Sequence, residues 1–355
     1  MIYDIYKSYA ENVAEGPFFD EVLPKRVMPP KSEWVDFLGV KLASRVGVPA
    51  GPLLTSKWTN FAGDMGFDIV TYKTIRSKAF QGHPLPNVIY LDIDKPLENG
   101  KGSVREAKDA PDPITNIAIT NSFGMPSQTP EFLMEDIARG NAGLREGQVL
   151  VVSVVGGFCA ERGFIDDFVY TAKLAKEAGA KIVEANFSCP NVSTGQGQVY
   201  LDVQSVFLIA SRLVEVLGDT PLIIKVASFP DVQVMENVFI AAARAGARAV
   251  AGINTISKEV VNKKGEYSFG ADRPTAGVCG APIRKTALNF IREGRRIIEK
   301  EKLDMQLVGV GGITKEEHFL EFIEAGADVA QTATGMMWNP WMAMEHHQKQ
   351  SLIGV

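Results

Sequence analysis

A cysteine set between two asparagines is the part of this chain whose side chains are best suited to chemistry. Residues 186–191 read Asn-Phe-Ser-Cys-Pro-Asn, and the apolar run before them, at 181–185, predicts a buried strand of a parallel sheet. Asn186, Cys189 and Asn191 are then expected at the carboxyl end of that strand, where α/β proteins carry their active sites. A thiol of tuned pKa can serve as a general acid or base, and asparagine amides can pair with a planar ligand that carries C=O and N–H groups.

The same residues have an ordinary structural explanation. Cysteine is often a small buried hydrophobic residue, and asparagine beside proline is common in turns. The motif alone therefore leaves a functional and a structural interpretation open, and the rest of the chain has to decide between them.

Composition narrows the class of protein. The chain has 355 residues, of which 46% are hydrophobic, which suits one large α/β domain or two ordinary ones. The net charge is -5, and acidic and basic residues are interspersed, so nothing favours nucleic acid or an anionic membrane as a partner.

The cysteines are few and scattered. Cys159, Cys189 and Cys279 form no C-x-x-C pair, which argues against a disulfide framework, a zinc ribbon and a cysteine-ligated iron–sulfur cluster in this chain. The N-terminus lacks the pattern of a signal peptide, and no apolar run reaches the ~18 residues that span a bilayer. We therefore expect a soluble, cytoplasmic protein without stable membrane insertion.

The chain divides into an extension and a repeating region. Residues 1–45 are expected to form an N-terminal extension packed on the main domain. Apolar residues at helical spacing predict a helix within residues 1–20, and a hairpin is possible around residues 37–42. From residue 46 to residue 355, strands alternate with helices, which requires parallel pairing and right-handed crossovers.

About eight strand–helix units can be counted, and this number predicts a (β/α)₈ barrel. Two stretches without a clear period, near 76–115 and 258–283, are excursions from the barrel. The helix after the second strand is not evident from the pattern. A doubly wound open sheet is the second choice, but it needs a glycine-rich turn after the first strand, and residues 50–54 fit that turn poorly.

In a barrel, the strand ends converge on one mouth. They are expected to bring together Lys73, Asn121, Asn186, Cys189, Asn191, Lys225, Asn254 and Thr255. A lysine in such a mouth needs nearby negative charge, either from a phosphorylated cofactor that is anionic when reduced or from a structural salt bridge.

Glycine turns at residues 309–314 and 332–335 follow the last two strands, where barrels often bind phosphate, although such glycines can also serve tight turns alone. The cluster has no carboxylate and does not resemble a metal site. The four histidines, His83, His318, His346 and His347, are interpreted as surface or core residues.

Residues 186–191 resemble the N-x-S-C-P-N motif of the class 1 dihydroorotate dehydrogenases, the branch that uses a cysteine base. The resemblance runs from about residue 46 to residue 335. It includes Lys73, the Asn-Ser-Phe-Gly-Met-Pro segment at 121–126, Lys225, Asn254 and Thr255, and the two glycine turns. This family is an FMN-dependent (β/α)₈ barrel that oxidises dihydroorotate to orotate in pyrimidine synthesis.

The resemblance implies a role for each matching residue. Cys189 would be the base that takes the C5 proton of dihydroorotate, while the C6 hydride passes to N5 of FMN. Lys73 would lie between flavin and substrate, and Lys225 would face the N1/O2 edge of the flavin and stabilise its reduced anion. The substrate would be bound by Lys73, Asn121, Asn186, Asn191, Asn254, Thr255 and the backbone of Phe123, Gly124 and Met125. The cofactor would be bound by Ala50, Gly51, Lys73, Thr74, Asn121, Asn186, Lys225, Ile253, Gly280, Gly311, Gly312, Ala333 and Thr334.

Three features depart from the family pattern. Cys279 stands where a run of glycines is common, residues 195–200 look unlike other members, and residues 76–115 look expanded. One alternative is a flavin enzyme for another dihydropyrimidine, as in the dihydropyrimidine dehydrogenases. Another is a barrel that binds flavin or a phosphorylated ligand without turnover.

The resemblance also bears on partners. The quinone-using branch carries a serine base and an N-terminal helical extension, so Cys189 favours the other branch. Within that branch, the electron acceptor is fumarate or a separate flavin/iron–sulfur subunit that uses NAD. A homodimer is expected from the family.

Overall fold

The computed structural model describes residues 1–23, 25–100, 102–157, 161–188 and 198–353. The strands are β1 (Val35–Phe37), β2 (Val40–Leu42), β3 (Val46–Val48), β4 (Ile69–Ile75), β5 (Val88–Asp92), β6 (Ser103–Glu106), β7 (Ala118–Asn121), β8 (Val149–Val154), β9 (Ile182–Asn186), β10 (Leu222–Lys225), β11 (Ala249–Gly252), β12 (Ile256–Val261), β13 (Thr275–Gly280), β14 (Gln306–Val310) and β15 (Val329–Gln331). The helices are α1 (Tyr9–Glu15), α2 (Ser56–Asp64), α3 (Pro130–Gly143), α4 (Phe164–Glu177), α5 (Val203–Leu217), α6 (Val232–Arg244), α7 (Arg284–Lys300), α8 (Glu317–Glu324), α9 (Thr334–Trp338) and α10 (Met342–Ile353).

Eight parallel strands close into a barrel in the order β3-β4-β8-β9-β10-β11-β14-β15. At least one helix comes between each strand and the next, so the predicted (β/α)₈ barrel is confirmed and the open-sheet alternative is wrong. The helix that follows the second barrel strand is α3, which is separated from β4 by a long excursion. The sequence missed α2, which lies between the first two barrel strands.

The barrel strands are apolar on both faces because helices cover the outside and side chains fill the inside. In β8, Val149 and Val151 pack into the barrel interior with Ile69 and Ile182, while Leu150 belongs to the larger core beneath the helices. This two-sided burial explains why the barrel strands appear in the sequence as continuous apolar runs rather than as alternating ones.

A hairpin closes the end of the barrel at which the strands begin. Strands β1 and β2 are antiparallel, with Phe37 opposite Val40. Phe37 and Leu42 are fully buried against the interior valines and isoleucines. The backbone N–H of Leu38 donates to Gln306 Oε1 at 2.9 Å, which ties the hairpin to the start of β14. The hairpin proposed around residues 37–42 is therefore present.

The two excursions join in a second, smaller closed barrel of five strands, β5, β6, β7, β12 and β13. Strand β13 pairs with β7 through Gly277 and Asn121, and β12 pairs with β6 through Glu259 and Ser103. Asn121 therefore ends a strand of this second barrel, and the expectation that it stood at the end of a main-barrel strand was wrong. The pairing partners are more than 150 residues apart, which hid the second barrel from sequence patterns.

The N-terminal segment is helical over a shorter stretch than predicted. Only Tyr9–Glu15 forms a helix, which begins with a capping box between Ser8 and Glu11 and ends at Gly16, just before Pro17. The earlier residues form a loop held by the Asn12 side chain, which donates to the backbone carbonyls of residues 4, 7 and 8. Within the described ranges, no helix is both long enough and apolar enough to cross a bilayer.

Candidate active site

A cavity of about 600 Å³ opens at the carboxyl ends of the main-barrel strands, where the second barrel covers them. Its walls come from the ends of β4, β9, β10, β14 and β15 and from β7 and β13 of the second barrel. A volume of this size suits a small-molecule ligand or cofactor.

The cavity collects nearly all of the residues proposed from the sequence. The residues that line it include Ala50, Gly51, Lys73, Thr74, Asn121, Phe123, Gly124, Met125, Asn186, Lys225, Ile253, Asn254, Thr255, Gly280, Gly311, Gly312, Ala333 and Thr334. Cys189 and Asn191 lie outside the described residues. The position of this set was predicted, whereas the role of each member stays a prediction.

Two lysines give the cavity positive charge. Lys73 Nζ donates to the carbonyl of Pro126 at 2.7 Å and lies 5.3 Å from the centre of the Tyr9 ring. Lys225 is only 4% exposed, and no described residue forms a hydrogen bond or ion pair with its ammonium. No aspartate or glutamate is among the described residues that line the cavity. A buried cation without a carboxylate favours a ligand that carries negative charge.

A chain of hydrogen bonds orients the amides. Asn254 Nδ2 donates to Ser188 Oγ at 2.7 Å, and Ser188 Oγ donates to Asn186 Oδ1 at 3.0 Å. Asn254 Oδ1 accepts from the backbone N–H of Thr255 at 2.9 Å, which fixes the other end of that amide. Because Asn186 uses its oxygen in this chain, its NH₂ group is the part that can donate to the carbonyl oxygen of a ligand.

Cys279 lies where the second barrel meets the cavity. Asn121 Nδ2 donates to Cys279 Sγ at 3.7 Å, and the thiol itself reaches the carbonyl of Ile119 at 3.6 Å. Burial raises the pKa of the Cys279 thiol, partly offset by hydrogen bonds from Thr334 and Asn121. The residue is therefore a neutral thiol at pH 7 and adds no charge beside Asn121.

The glycine turn after β14 brings its backbone close to the cavity. Gly311 and Gly312 have φ of +118° and +81°, and a Cβ on Gly312 would lie 2.5 Å from the Cα of Arg284. The turn is held by His318, whose Nδ1 accepts from the backbone N–H of Thr314 at 3.1 Å. Burial lowers the pKa of His318 to about 4, and Arg284 adds to the shift, so the ring remains a neutral acceptor. Only glycine permits this backbone path.

Comparison with known proteins identifies the family. The family model described as dihydroorotate dehydrogenase matches residues 34–352. A dihydroorotate dehydrogenase from Dictyostelium discoideum is 48% identical over 356 residues, covering 98% of this chain and 96% of that protein. The chain belongs to the dihydroorotate dehydrogenase family. It is an oxidoreductase, and the family is in general flavin-dependent.

The names of more distant relatives specify different electron acceptors. A dihydroorotate dehydrogenase (quinone) from Paracidovorax citrulli is 28% identical, covering 86% of this chain and 82% of that protein. A dihydroorotate dehydrogenase A (fumarate) from Limosilactobacillus reuteri is also 28% identical, covering 54% of this chain and 59% of that protein. The predicted family is confirmed, and the fumarate-type relative agrees with class 1.

Sequence reasoning missed part of the cavity lining. Tyr3 and Tyr9 of the N-terminal segment line the cavity, although their spacing had been interpreted only as the packed face of a helix. Asn99 also lines it and donates through Nδ2 to the carbonyl of Phe229 at 3.2 Å, while its Oδ1 accepts from Ser228 Oγ. Nothing in the sequence around Asn99 indicated this role, because the contact joins two loops 130 residues apart.

None of the four histidines is among the described residues that line the cavity. His83 is hydrogen-bonded to Ser122 at 3.2 Å, His347 reaches the carbonyl of Gly66 at 2.8 Å, and burial lowers the pKa of His346. In the part of the chain that the structure describes, no group of three or more metal-ligating side chains comes together.

Proposed function

We propose that this chain oxidises (S)-dihydroorotate to orotate with bound FMN, as a step in de novo pyrimidine synthesis. The observation that carries the proposal is one cavity lined by four asparagine amides and two lysines, without a carboxylate among its described lining residues. Dihydroorotate and orotate are anions with a ring of alternating C=O and N–H groups, so they match both the charge and the amides. The dihydroorotate dehydrogenase that is 48% identical supports the same substrate.

The substrate carboxylate is assigned to Lys73 and to the turn at residues 123–125. Lys73 is buried at the cavity wall, and its ammonium is already held at the carbonyl of Pro126, just after this turn. Gly124 and Met125 both have positive φ, 70° and 56°, and successive N–H groups in such tight turns suit an anion. Asn121, Asn186, Asn191, Asn254 and Thr255 are assigned to the pyrimidine ring.

The described residues fit FMN. The Gly311–Gly312 turn, together with Ala333 and Thr334, offers backbone N–H groups at the site assigned to the phosphate, and Gly312 packs so closely on Arg284 that a side chain there would displace the turn. Lys225 is a buried cation without a described partner, and an anionic group would satisfy it. Ala50, Gly51, Thr74, Ile253 and Gly280 are assigned to the remaining walls of the cofactor site. Bound FMN supplies the acceptor for the hydride that leaves C6 of the substrate.

Cys189 is assigned as the base that takes the C5 proton. It follows directly after Ser188, whose backbone N–H and hydroxyl both donate to Asn186 Oδ1, at 3.2 and 3.0 Å. Ser188 is therefore held by Asn186 through its backbone and hydroxyl, and its hydroxyl also accepts from Asn254. Removal of a proton from C5 and a hydride from C6 leaves the C5=C6 double bond of orotate, which balances the reaction.

The test is an anaerobic absorbance spectrum of the purified protein before and after dihydroorotate is added. We expect a flavin spectrum that bleaches at once, FMN as the flavin released on denaturation, and orotate in the supernatant. A flavin that dihydroorotate leaves oxidised but dihydrouracil bleaches would assign the protein to another dihydropyrimidine. A colourless protein that binds no added FMN would contradict the cofactor assignment.

The electron acceptor, the assembly and the location belong to the same proposal. We assign fumarate, or a separate flavin/iron–sulfur subunit that uses NAD, as the acceptor, and a cytoplasmic homodimer as the working form. Mixing the reduced enzyme with fumarate, a soluble quinone or NAD distinguishes the acceptors, because the true one restores the flavin spectrum fastest. Sedimentation of the holoenzyme gives the assembly.

A further inference from the structure

The N-terminal segment, residues 1–20, forms one wall of the cavity. It precedes residue 34, where the match to the family model begins, yet Ile2 and Tyr3 are fully buried in the core. The rings of Tyr3 and Tyr9 both line the cavity. The segment therefore belongs to the site physically and not only to the outside of the barrel.

Tyr9 contacts both elements to which the substrate carboxylate is assigned. Its ring centre lies 5.3 Å from Lys73 Nζ, which is within the range of a cation–π interaction. The same ring lies edge-on to Phe123, with 6.4 Å between ring centres, and Tyr3 lies edge-on to Phe123 at 5.9 Å. Lys73 is thus held between an aromatic face and the carbonyl of Pro126, and Phe123 is held by two tyrosines.

We propose that Tyr9 is a positioning residue of the substrate site, holding the Lys73 ammonium and the turn at residues 123–125 where they receive a carboxylate. The inference rests on the proposed function, which assigns Lys73 and that turn to the substrate. The N-terminal segment lies outside the family match, and the proposal gives it a role in substrate affinity.

The segment holds Tyr9 firmly enough for this role. The helix that starts at Tyr9 begins with a capping box between Ser8 and Glu11, and Asn12 is fully buried within the segment's own turn. The backbone N–H of Ile2 donates to the carbonyl of Met337 at 2.9 Å, which joins the segment to the last unit of the barrel. A seven-residue helix is too short to be stable alone, so these contacts set the position of its first residue.

The ring face, rather than the hydroxyl, explains the contact with Lys73. Burial raises the pKa of the Tyr9 phenol, so the side chain is neutral at working pH and offers no formal charge to the lysine. Phenylalanine should therefore replace tyrosine at this position with little loss, whereas an aliphatic side chain should not.

The experiment compares Tyr9→Phe and Tyr9→Leu in the FMN-loaded enzyme, with orotate as the probe and the flavin absorbance change as the signal. We expect Tyr9→Leu to bind orotate about 2- to 30-fold more weakly, with a matching rise in KM for dihydroorotate, because a cation–π contact is lost. Tyr9→Phe should stay close to the wild type. Tyr6→Leu is the matched control, because Tyr6 lies in the same segment and is 77% exposed. Orotate affinity that is unchanged in Tyr9→Leu would overturn the inference.

A second series keeps the inference testable if Tyr9→Leu loses its flavin. Phenylalanines with increasing ring fluorination at position 9 keep the shape of the ring and weaken its negative face. A stepwise loss of orotate affinity along the series is expected, and a flat series would overturn the role of Tyr9. Wild-type enzyme tests the proposed function separately, since a wild type that neither binds orotate nor bleaches with dihydroorotate fails before any variant is compared.

Discussion

The two ends of the main barrel are built from opposite kinds of side chain, and the change takes place within single strands. Along the inward face of β9, Ile182 lies in the apolar core, Glu184 is buried above it, and Asn186 reaches the cavity. On β10, Ile223 lies in the same apolar core and Lys225 lines the cavity. Two residues along a strand are enough to pass from one environment to the other.

The difference shows how the barrel separates stability from chemistry. At the lower end, the hairpin of β1 and β2 seals the interior with Phe37 and Leu42, and packing there depends on shape and apolar area. At the upper end, Lys225 lines a cavity that has no carboxylate among its described lining residues, which favours an anionic ligand. Substitutions at the lower end should therefore change stability, and substitutions at the upper end should change activity.

The largest effect on activity alone is expected at Cys189. Cys189→Ala should lower turnover by about 100- to 10,000-fold, because general-base catalysis contributes that much, while flavin content and thermal unfolding stay as in the wild type. Anaerobic flavin reduction by dihydroorotate measures the effect. Cys189→Ser should keep some activity at higher pH, and near-normal reduction in the alanine variant would remove Cys189 from its assigned role.

The largest effect on stability alone is expected at the opposite end. Phe37→Ala should lower the free energy of unfolding by about 3–5 kcal/mol, because it leaves a cavity where the hairpin of β1 and β2 packs on the barrel interior. The folded fraction should reduce its flavin at the wild-type rate. Lys41→Ala is the control, since Lys41 is exposed on the same hairpin. A slower reduction rate in folded Phe37→Ala would show that the two ends are coupled.

The histidine beside the glycine turn should make stability depend on pH. The folded pKa of His318 is about 4, below its ordinary value of 6.5, so the unfolded chain binds more protons between these values. Its contribution, about 3 kcal/mol at the full shift, is present above pH 6.5 and is lost as the pH falls towards 4. Urea unfolding at several pH values measures it. His318→Asn keeps an acceptor for Thr314 and should flatten this part of the profile, and an unchanged profile would contradict the assignment.

The smallest expected effect is on the free energy of unfolding, in variants of two buried tyrosines that line the cavity. The Tyr3 hydroxyl has no hydrogen-bond partner among the described residues, whereas the Tyr200 hydroxyl donates to the carbonyl of Ser228 at 3.0 Å. Tyr3→Phe should raise the free energy of unfolding by about 1 kcal/mol, and Tyr200→Phe should lower it by about the same amount. Thermal unfolding of both variants gives the comparison. A loss of stability in Tyr3→Phe would show that its hydroxyl is satisfied.

The sequence predicted the features that depend on local pattern. The apolar runs and the glycines that follow helices predicted the barrel. The polar residues after those runs predicted the lining of the cavity, from Lys73 to Thr334. The motif at residues 186–191 gave the family. The division into an extension at 1–45 and a barrel domain at 46–355 stays a prediction, as do the roles of Cys189 and Asn191, which lie outside the described residues.

The features that the sequence did not predict depend on contacts between distant segments. Asn121 was expected in the cavity and lies there, but it arrives on β7, whose partner β13 comes more than 150 residues later. Tyr9 was recognised as one of a set of apolar residues, yet its contact with Lys73 depends on where the whole segment docks. A periodic pattern gives the face that is buried and says nothing about the surface that covers it.

The hydrogen bond between the N–H of Ile2 and the carbonyl of Met337 has a consequence for synthesis. Ile2 is made long before Met337 and cannot reach this partner until the last barrel unit has been synthesised. At about 5–20 residues per second, this is a delay of tens of seconds. During that interval Ile2, Tyr3 and Ile5, all buried in the finished protein, have no core to enter. The nascent chain therefore exposes this apolar segment, a suitable binding site for a chaperone, until the barrel closes.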